Sequence, residues 1–393
     1  MATLTAPTPP GPSSAAAGPG PTAPGPGATA PGPGAAAPAR PRWDLGQLGP
    51  NWYAAVMGTA ITANGAFALP HRVPGQLLFA QAVWALGLTG LLVLVAARLA
   101  HLTRHRAAAR EQLLENPATA VFYGCPPMAL LAVGYGTLVI GGPLLGTGPA
   151  VAADVLLWTL GTLYAVLVAA GIPYLMVTRH DLSALRANPT WLLPVVAPMV
   201  SAALGPVLLP HLPAALRPGL FYGCYALFGA SLLAVLVLLP VVFAGLAHSR
   251  LPVMLTPSLF LVLGPLGQST TAVGNLADAA HPVAPRLAAA AAGFAVLYGV
   301  AVIGFALLWL LIAGAANLRA LRRERMPFAM TWWAFTFPVG TCVTGAAGLA
   351  RHTGFTGFGW LAVGLYALLV TAWAVAGVRT VAALAGGRLL RAA

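Results

Sequence analysis

The polar side chains inside the long apolar runs of this sequence are hydroxyls and amides, and several stand close to prolines and glycines. Thr59 follows Gly58, Thr336 stands two residues before Pro338, and Gln268 has a similar setting. Neutral donors can replace part of an anion's water shell without binding the ion so tightly that release becomes slow. Helix breaks add exposed helix ends, whose positive termini attract anions. These residues are therefore candidates for the lining of a path for small anions, and the alternative for each is a hydrogen bond between packed helices.

Groups that catalyse reactions or bind metals are missing from the same runs. The acidic residues are expected at helix ends or in loops, and they are Asp44, Glu111, Glu115, Asp154, Asp181, Asp278 and Glu324. The histidines have similar positions, and the three cysteines are too widely spaced for a metal site or a disulfide framework. The sequence contains no CxxC, HExxH or Ser/His/Asp cluster. We therefore expect no enzyme activity, no metal and no cofactor.

The composition is that of a chain whose solvent is mostly lipid. Of the 393 residues, 59% are hydrophobic and only 7% are charged, whereas soluble domains carry about 25% charged residues. The net charge is +13, but the basic residues, all of them arginines, lie in short gaps between apolar runs. That distribution is typical of membrane proteins and not of a nucleic-acid-binding surface.

The first 42 residues differ from the rest of the chain. They are almost entirely Ala, Pro, Gly, Thr and Ser, without the large apolar side chains that a folded core requires. We predict that residues 1–42 form a disordered cytoplasmic tail. Residues 43–393 then form one transmembrane domain.

Ten apolar runs in residues 43–393 are long enough to cross a bilayer as helices, which takes about 20 residues. The predicted spans are 51–69, 76–100, 118–140, 151–177, 190–210, 218–246, 253–274, 287–316, 329–350 and 357–386. Lipid offers no partner for backbone polar groups, so the spans must be helical. The expected fold class is therefore an all-α integral membrane protein.

The arginines indicate how these spans are oriented. Sixteen of the 20 fall in the tail, in the gaps after even-numbered spans or at the C-terminus. The other four are Arg72, Arg217, Arg286 and Arg351. Because cytoplasmic loops carry an excess of arginine and lysine, both termini are expected on the cytoplasmic side. The expected location of the protein is the cell membrane.

An internal repeat accompanies the spans. The odd-numbered spans begin near Pro50, Pro117, Pro189, Pro252 and Pro327, at intervals of 67, 72, 63 and 75 residues. Proline is favoured at the first position of a helix, and five similar intervals indicate five similar units. Each unit is predicted to be a hairpin of one odd and one even helix.

Helix-breaking residues separate the two classes of helix. The first odd span has Gly58 as its interior breaker and the other four have interior prolines, whereas three of the five even spans contain no proline. A proline in a membrane helix is tolerated where it is buried in protein or lines a wet cavity. We therefore predict five kinked inner helices around a central pore, with a solid, non-conducting core as the alternative. The predicted pore-lining residues are Gly58, Thr59, Pro126, Pro127, Pro194, Pro198, Gly264, Pro265, Gln268, Thr336 and Pro338.

Three stretches resemble a known family of transporters. They are NWYAAVMGTAITA at 51–63, SLFLVLGPLGQST at 258–270 and WWAFTFPVGT at 332–341. They are similar to the tellurite-resistance/dicarboxylate transporter family, within the voltage-dependent anion channel superfamily. That family includes bacterial tellurite-resistance permeases, malate and sulfite transporters, and plant slow-type anion channels.

The resemblance implies a homotrimer in which each protomer has its own pore inside five inner helices. It also implies a phenylalanine gate on the ninth helix, directly before the proline, which is Phe337 here. Phe335 is the alternative if the register differs by two residues. The sequence departs from the family's frequent MGTGI stretch by having Ala60 in place of the second glycine.

Two transport mechanisms are compatible with the sequence. One is an anion channel or facilitative permease, and the other is a proton-linked transporter of C4-dicarboxylates or sulfite. No histidine or carboxylate is expected in mid-membrane, so a proton would have to travel with the substrate. A scaffold without transport activity is disfavoured because the loops leave little room for a docking domain.

Overall fold

The computed structural model describes residues 45–182, 186–248, 251–387 and 389, so the predicted tail at 1–42 lies outside the described residues. Every regular element within them is helical. The long helical segments are α1 (Tyr53–Ala68), α2 (Gln76–Arg104), α3 (Pro117–Val139), α4 (Thr147–Thr178), α5 (Pro189–His211), α6 (Ala214–His248), α7 (Val253–Val283), α8 (Pro285–Arg323), α9 (Met330–Thr353) and α10 (Thr356–Ala385).

Nine of these segments in the described part of the chain, α2 to α10, are long and apolar enough to cross a membrane. Helix α1 is shorter, with 16 residues, and a 3-10 turn at Pro50–Trp52 leads directly into it. Each predicted span overlaps one of the ten segments. The helix at Arg106–Leu114 was not predicted, because its sequence is too polar to register as a span.

Burial divides the helices into the two expected classes. In the most apolar stretch of α3, α5, α7 and α9, between 67% and 89% of residues are buried. The corresponding share is only 22–28% in the even-numbered helices, and most residues of α1 are buried. The prediction that the odd-numbered helices lie inside is therefore confirmed. Exposed leucines, valines and phenylalanines cover the even helices, as lipid contact requires.

The five inner helices form a closed ring. Helix α1 packs against α3 and α9, and α5 packs against α3 and α7. Helices α7 and α9 share the most extensive contact in the described structure, and this contact closes the ring. Each outer helix packs against two consecutive inner helices; α4, for example, lies against α3 and α5. The architecture thus repeats five times around one axis.

Each inner helix has a 3-10 segment in its N-terminal half or directly before it, and it is α-helical directly after that segment. The α part begins at Cys125 in α3, at Leu192 in α5, at Leu263 in α7 and at Phe337 in α9. In these four helices a proline falls within the first three α-helical residues. A missing N–H costs little there, because the first turn of an α-helix has no internal acceptor for it. The prolines therefore set the depth of the helix break.

Small residues allow the inner helices to approach closely. A methyl group at Gly267 of α7 would collide with the backbone of Thr341 and Cys342 on α9. Such close contacts between glycines and neighbouring backbones are a common means of helix association in membranes, where van der Waals packing replaces the hydrophobic effect.

Candidate functional site

Two cavities lie along the axis of the ring. The first, the large cavity, has a volume of about 470 Å³ and is lined by the N-terminal halves of all five inner helices. Most of its lining is apolar, with Met57, Met128 and Val196 as examples. Hydroxyl and amide groups come only from Asn51, Thr190, Ser258 and Thr331 among its described lining residues.

The second, the small cavity, has a volume of about 50 Å³ and is lined by the C-terminal halves of the same five helices. It has room for a few water molecules. About half of its lining is polar, and the polar members are Asn64, Tyr135, Gln268, Thr271, Asn275, Thr344 and Arg351.

Phe337 borders both cavities. Its side chain is 5% exposed, and it is the first α-helical residue of α9, directly before Pro338. It is the one residue shared by the two described linings. An aromatic ring therefore stands where the large cavity and the small cavity meet.

The lining residues follow one face of each inner helix. On α7 the series is Ser258, Leu261, Gly264, Gln268, Thr271 and Asn275. On α1 and the 3-10 turn before it, the series is Asn51, Ala54, Met57, Ile61, Asn64 and Ala68. Steps of three and four residues keep side chains on one side of a helix. The same face of each helix thus passes the large cavity first and the small cavity second.

Hydrogen bonds fix several polar groups around the small cavity. Asn64 Nδ2 donates to the carbonyl oxygen of Ala132 at 3.0 Å, which ties α1 to α3. The hydroxyl oxygens of Thr271 and Thr344 lie 2.7 Å apart and tie α7 to α9. A polar group that faces lipid or a dry core has few alternative hydrogen-bond partners. Breaking these bonds is therefore costly, and they make the cavity walls rigid.

Two buried amide oxygens at the small cavity have no partner among the described residues. They are Asn64 Oδ1 and Gln268 Oε1, on side chains that are each 2% exposed. Buried polar atoms are normally hydrogen-bonded, so an orphaned amide at a cavity is available to water or a passing ligand. An amide can present either its oxygen or its NH₂ group after a rotation of the side chain.

Only three of the eleven residues expected at the pore border the two cavities. They are Gly264 and Pro338 at the large cavity and Gln268 at the small one. The other eight are placed between helices.

The three expected polar or small residues near the helix breaks pack against other helices. A side chain at Gly58 would run into Thr336 and Trp333 of α9. The Thr59 hydroxyl accepts a hydrogen bond from Trp373 Nε1 on α10 at 3.1 Å. The Thr336 side chain is fully buried and donates to the Trp333 carbonyl at 2.7 Å.

The remaining prolines serve the ring rather than line the cavities. Buried positions outside the two described linings are taken by Pro126, Pro127, Pro194, Pro198 and Pro265. Adjacent residues such as Cys125, Met128 and Leu193 border the large cavity instead. These prolines lie at the depth of the helix breaks, on faces of the helices outside the two cavity linings.

Phe335 also points away from the two described linings. Its ring packs edge-on against Phe260 of α7, with 4.9 Å between ring centroids, and against Trp332 at 6.0 Å. Phe335 therefore fills the contact between α7 and α9, while Phe337 faces the axis.

Two charged residues have structural positions that the sequence did not reveal. Arg351, expected only as a loop residue, borders the small cavity near the end of α9. Asp154, expected at a helix end, lies two turns inside α4 and is 2% exposed, close to Gly134 of α3. A 3.6-residue reading of α9 from Phe337 to Thr344 and Arg351 could have found the arginine.

A ring of broken helices around two axial cavities, enclosed by apolar helices, defines a multi-pass membrane protein of the channel or carrier class. Residues 47–381 match the voltage-dependent anion channel family. The chain belongs to that family, so the resemblance drawn from the three sequence stretches is confirmed, and transport of anions across a membrane is its function.

The curated relatives are transporters. A sulfite efflux pump of Arthroderma otae is 30% identical over 314 residues, covering 77% of this chain and 82% of the relative. A sulfite efflux pump of Trichophyton rubrum has the same identity and the same coverage. An uncharacterized transporter of Methanocaldococcus jannaschii is 26% identical over 332 residues, covering 84% of this chain and 92% of the relative.

Proposed function

We propose that small anions cross the membrane along the axis of the inner ring and that Phe337 gates this path. The observation that carries the proposal is that Phe337 borders both the large and the small cavity. A hydrophobic constriction of this kind closes a pore by excluding water, and movement of the ring would reopen it. The ten helices then cross the membrane as five hairpins around a central pore.

The large cavity opens toward the cytoplasm in this proposal. The starts of the odd-numbered helices lie at the end of the bundle where most arginines are found, including Arg98, Arg104 and Arg110. The arginine-rich side of a membrane protein is the cytoplasmic side. Both termini are therefore cytoplasmic, and the membrane is the cell membrane.

The substrate class is small oxyanions and related anions, with sulfite first because two relatives are named sulfite efflux pumps. C4-dicarboxylates, halides, nitrate and tellurite-type oxyanions fit the same lining of amides, hydroxyls and one arginine. A path of amides and hydroxyls offers hydrogen bonds without a deep electrostatic well, which favours release. Such transport needs no catalytic group and no cofactor.

The assembly that we propose is a homotrimer with one pore in each protomer. The exposed apolar side chains of the even-numbered helices supply surfaces for lipid and for neighbouring copies. Because each ring is closed within one chain, the pore of a protomer does not depend on its neighbours.

Flux of chloride and of sulfite in proteoliposomes tests the gate. We expect Phe337→Ala to raise both fluxes about tenfold or more, since each ~1.4 kcal/mol removed from a barrier gives a factor of ten. Phe335→Ala is the matched control, because it removes the same side chain from the same helix but leaves the axis unchanged. It is expected to keep the parent flux.

The outcomes separate the pore from its gate. Flux in the parent that does not change in Phe337→Ala would place the gate elsewhere. If neither the parent nor Phe337→Ala moves an anion while both remain folded, the proposal of an axial pore is wrong. An equal gain in Phe335→Ala would show that loosening α9 is sufficient and that Phe337 has no special place.

The second candidate is proton-linked transport of sulfite or a C4-dicarboxylate, which the pump names of the relatives favour. The described linings of both cavities contain no carboxylate and no histidine, so the proton would enter with the substrate. A pH gradient at constant concentration of the protonated substrate discriminates between the two. Flux that still follows the gradient supports proton coupling by the protein, and flux that ignores it supports a channel.

A further inference from the structure

The ends of α7 and α9 carry a small charged cluster beside the small cavity. Arg351 Nη2 lies 3.4 Å from Asp278 Oδ2, and His352 Nε2 lies 3.3 Å from Asp278 Oδ1. The same histidine nitrogen lies 3.3 Å from the carbonyl oxygen of Gly274. Asp278 on α7 is thus contacted by two consecutive residues of α9.

Arg351 and Asp278 face different spaces. Arg351 borders the small cavity, whereas Asp278 borders a side cavity of about 370 Å³ that lies between α5, α6 and α7. Asn275, one turn before Asp278, borders both cavities. Arg217 also lines the side cavity, with Nε donating to the Leu212 carbonyl at 2.9 Å. The Arg351–Asp278 pair therefore lies where the axial path reaches the surface.

The ion pair between these residues is easily opened. The side chains of Arg351 and Asp278 are 51% and 52% exposed. Water screens such pairs, and exposed pairs contribute little to stability. A contact of 3.4 Å between one nitrogen and one oxygen also leaves most of the arginine's donors unused by Asp278. An anion that arrives at the small cavity can replace the carboxylate.

The geometry points to an anion-binding site formed by Arg351 at the mouth of the small cavity, with Asp278 as its built-in competitor. This inference rests on the proposed axial pathway and adds a substrate preference to it. The planar guanidinium presents paired N–H groups that match two oxygens of one ligand. The site therefore favours oxyanions and carboxylates, such as sulfite, over a spherical halide.

Removing each member of the pair is expected to act in opposite directions. In the Phe337→Ala background, Arg351→Gln should raise the half-saturating sulfite concentration about fivefold, because the ligand loses a charged partner. Asp278→Asn should lower the same concentration, because the competing carboxylate is gone while the side-chain shape is kept. Proteoliposome flux at graded sulfite and chloride concentrations measures both effects.

A conservative variant separates charge from geometry. Arg351→Lys keeps the positive charge but loses the fork, so it should restore chloride flux more fully than sulfite flux. Arg286→Gln is the matched control. Arg286 is exposed at the start of α8, at the same end of the bundle, and lies outside the described cavity linings. It is expected to leave the half-saturating concentrations unchanged.

Several outcomes would overturn the inference while anion flux persists. Equal effects of Arg351→Gln and Arg286→Gln would show that Arg351 contributes only to the surface potential. A rise in half-saturating sulfite in Asp278→Asn, as in Arg351→Gln, would show that the pair is merely structural. Full recovery of sulfite flux in Arg351→Lys would remove the oxyanion preference. Loss of anion flux in the Phe337→Ala parent itself would instead contradict the proposed pore.

Discussion

The two axial cavities share the same five helices but differ in size and chemistry. The large cavity, at about 470 Å³, is mainly apolar, whereas about half of the lining of the small cavity, at about 50 Å³, is polar. In the proposed pathway, selectivity and closure therefore occupy different depths. A wide apolar cavity offers few hydrogen-bond donors and therefore cannot select one anion over another. A narrow cavity lined by amides, hydroxyls and an arginine can select between anions, because it can replace part of their hydration shell.

The helix breaks explain how one ring builds both cavities. Before the breaks, 3-10 segments such as Val253–Val262 bring mainly apolar side chains, Met254 and Leu261 among them, to the large cavity. Beyond the breaks, regular α-helix allows polar side chains at Gln268, Thr271 and Asn275 to align on one face. Phe337 stands at the break of α9, between the two regimes.

The largest expected effect comes from disturbing the ring where α7 and α9 touch. Gly267→Ala places a methyl group against the backbone of Thr341 and Cys342. Overpacking of this kind costs about 1–3 kcal/mol, so we expect a lower thermal midpoint in detergent and reduced flux. Gly304→Ala is the matched control, because the space beside Gly304 on α8 is open. Equal midpoints in the two variants would contradict the close contact.

A smaller effect is expected from removing one polar group from the small cavity. In the Phe337→Ala background, Gln268→Leu should lower chloride flux about tenfold, since hydrogen bonds to charged groups contribute ~1.5–3 kcal/mol. Ser258→Ala removes a hydroxyl from the large cavity and should have little effect, because that chamber is wide. Chloride flux of the two variants, measured in parallel in proteoliposomes, tests this prediction. A larger loss of chloride flux in Ser258→Ala than in Gln268→Leu would contradict the proposed difference between the two cavities.

The smallest effect is expected at Thr59, which the sequence had placed at the pore. Thr59→Val should leave flux within about twofold of the parent and lower stability by ~0.6 kcal/mol, the average for a hydrogen bond between membrane helices. The interhelical bond lost is the one from Trp373 Nε1, and the bond that the hydroxyl donates to the Ala55 carbonyl within α1 is lost with it. Thr344→Val, at the small cavity, should reduce flux further than Thr59→Val. The reverse order of fluxes would return Thr59 to the pathway.

Much of the fold could be predicted from the sequence because a helix that crosses a membrane requires a long run of apolar residues. Apolar runs gave the positions of the helical segments, and the prolines separated inner from outer helices before any contact was known. The helix at Arg106–Leu114 was missed because it is polar and short. The burial of Asp154 was missed because helix α4 begins at Thr147, four residues before the predicted span.

The linings of the two cavities were harder to predict than the fold. Helix-breaking residues such as Gly58 and Pro126 indicate the depth at which a helix is kinked. They do not indicate which face of the helix is turned toward the axis of the ring. That face is set by contacts with two neighbouring helices. A period of three and four residues starting from Phe337 or Gln268 would have selected more of the lining, including Thr271 and Thr344.

The central claim is that Phe337 separates two cavities that would otherwise be continuous. Accessibility of introduced cysteines to a membrane-impermeant thiol reagent tests it directly, in a chain whose native cysteines are replaced by alanine. Reagent applied from the side of the large cavity should label Ala54→Cys whether residue 337 is Phe or Ala. It should label Thr344→Cys only when residue 337 is Ala. Labelling of Thr344→Cys from that side with Phe337 in place, or failure to label it in Phe337→Ala, would contradict the account.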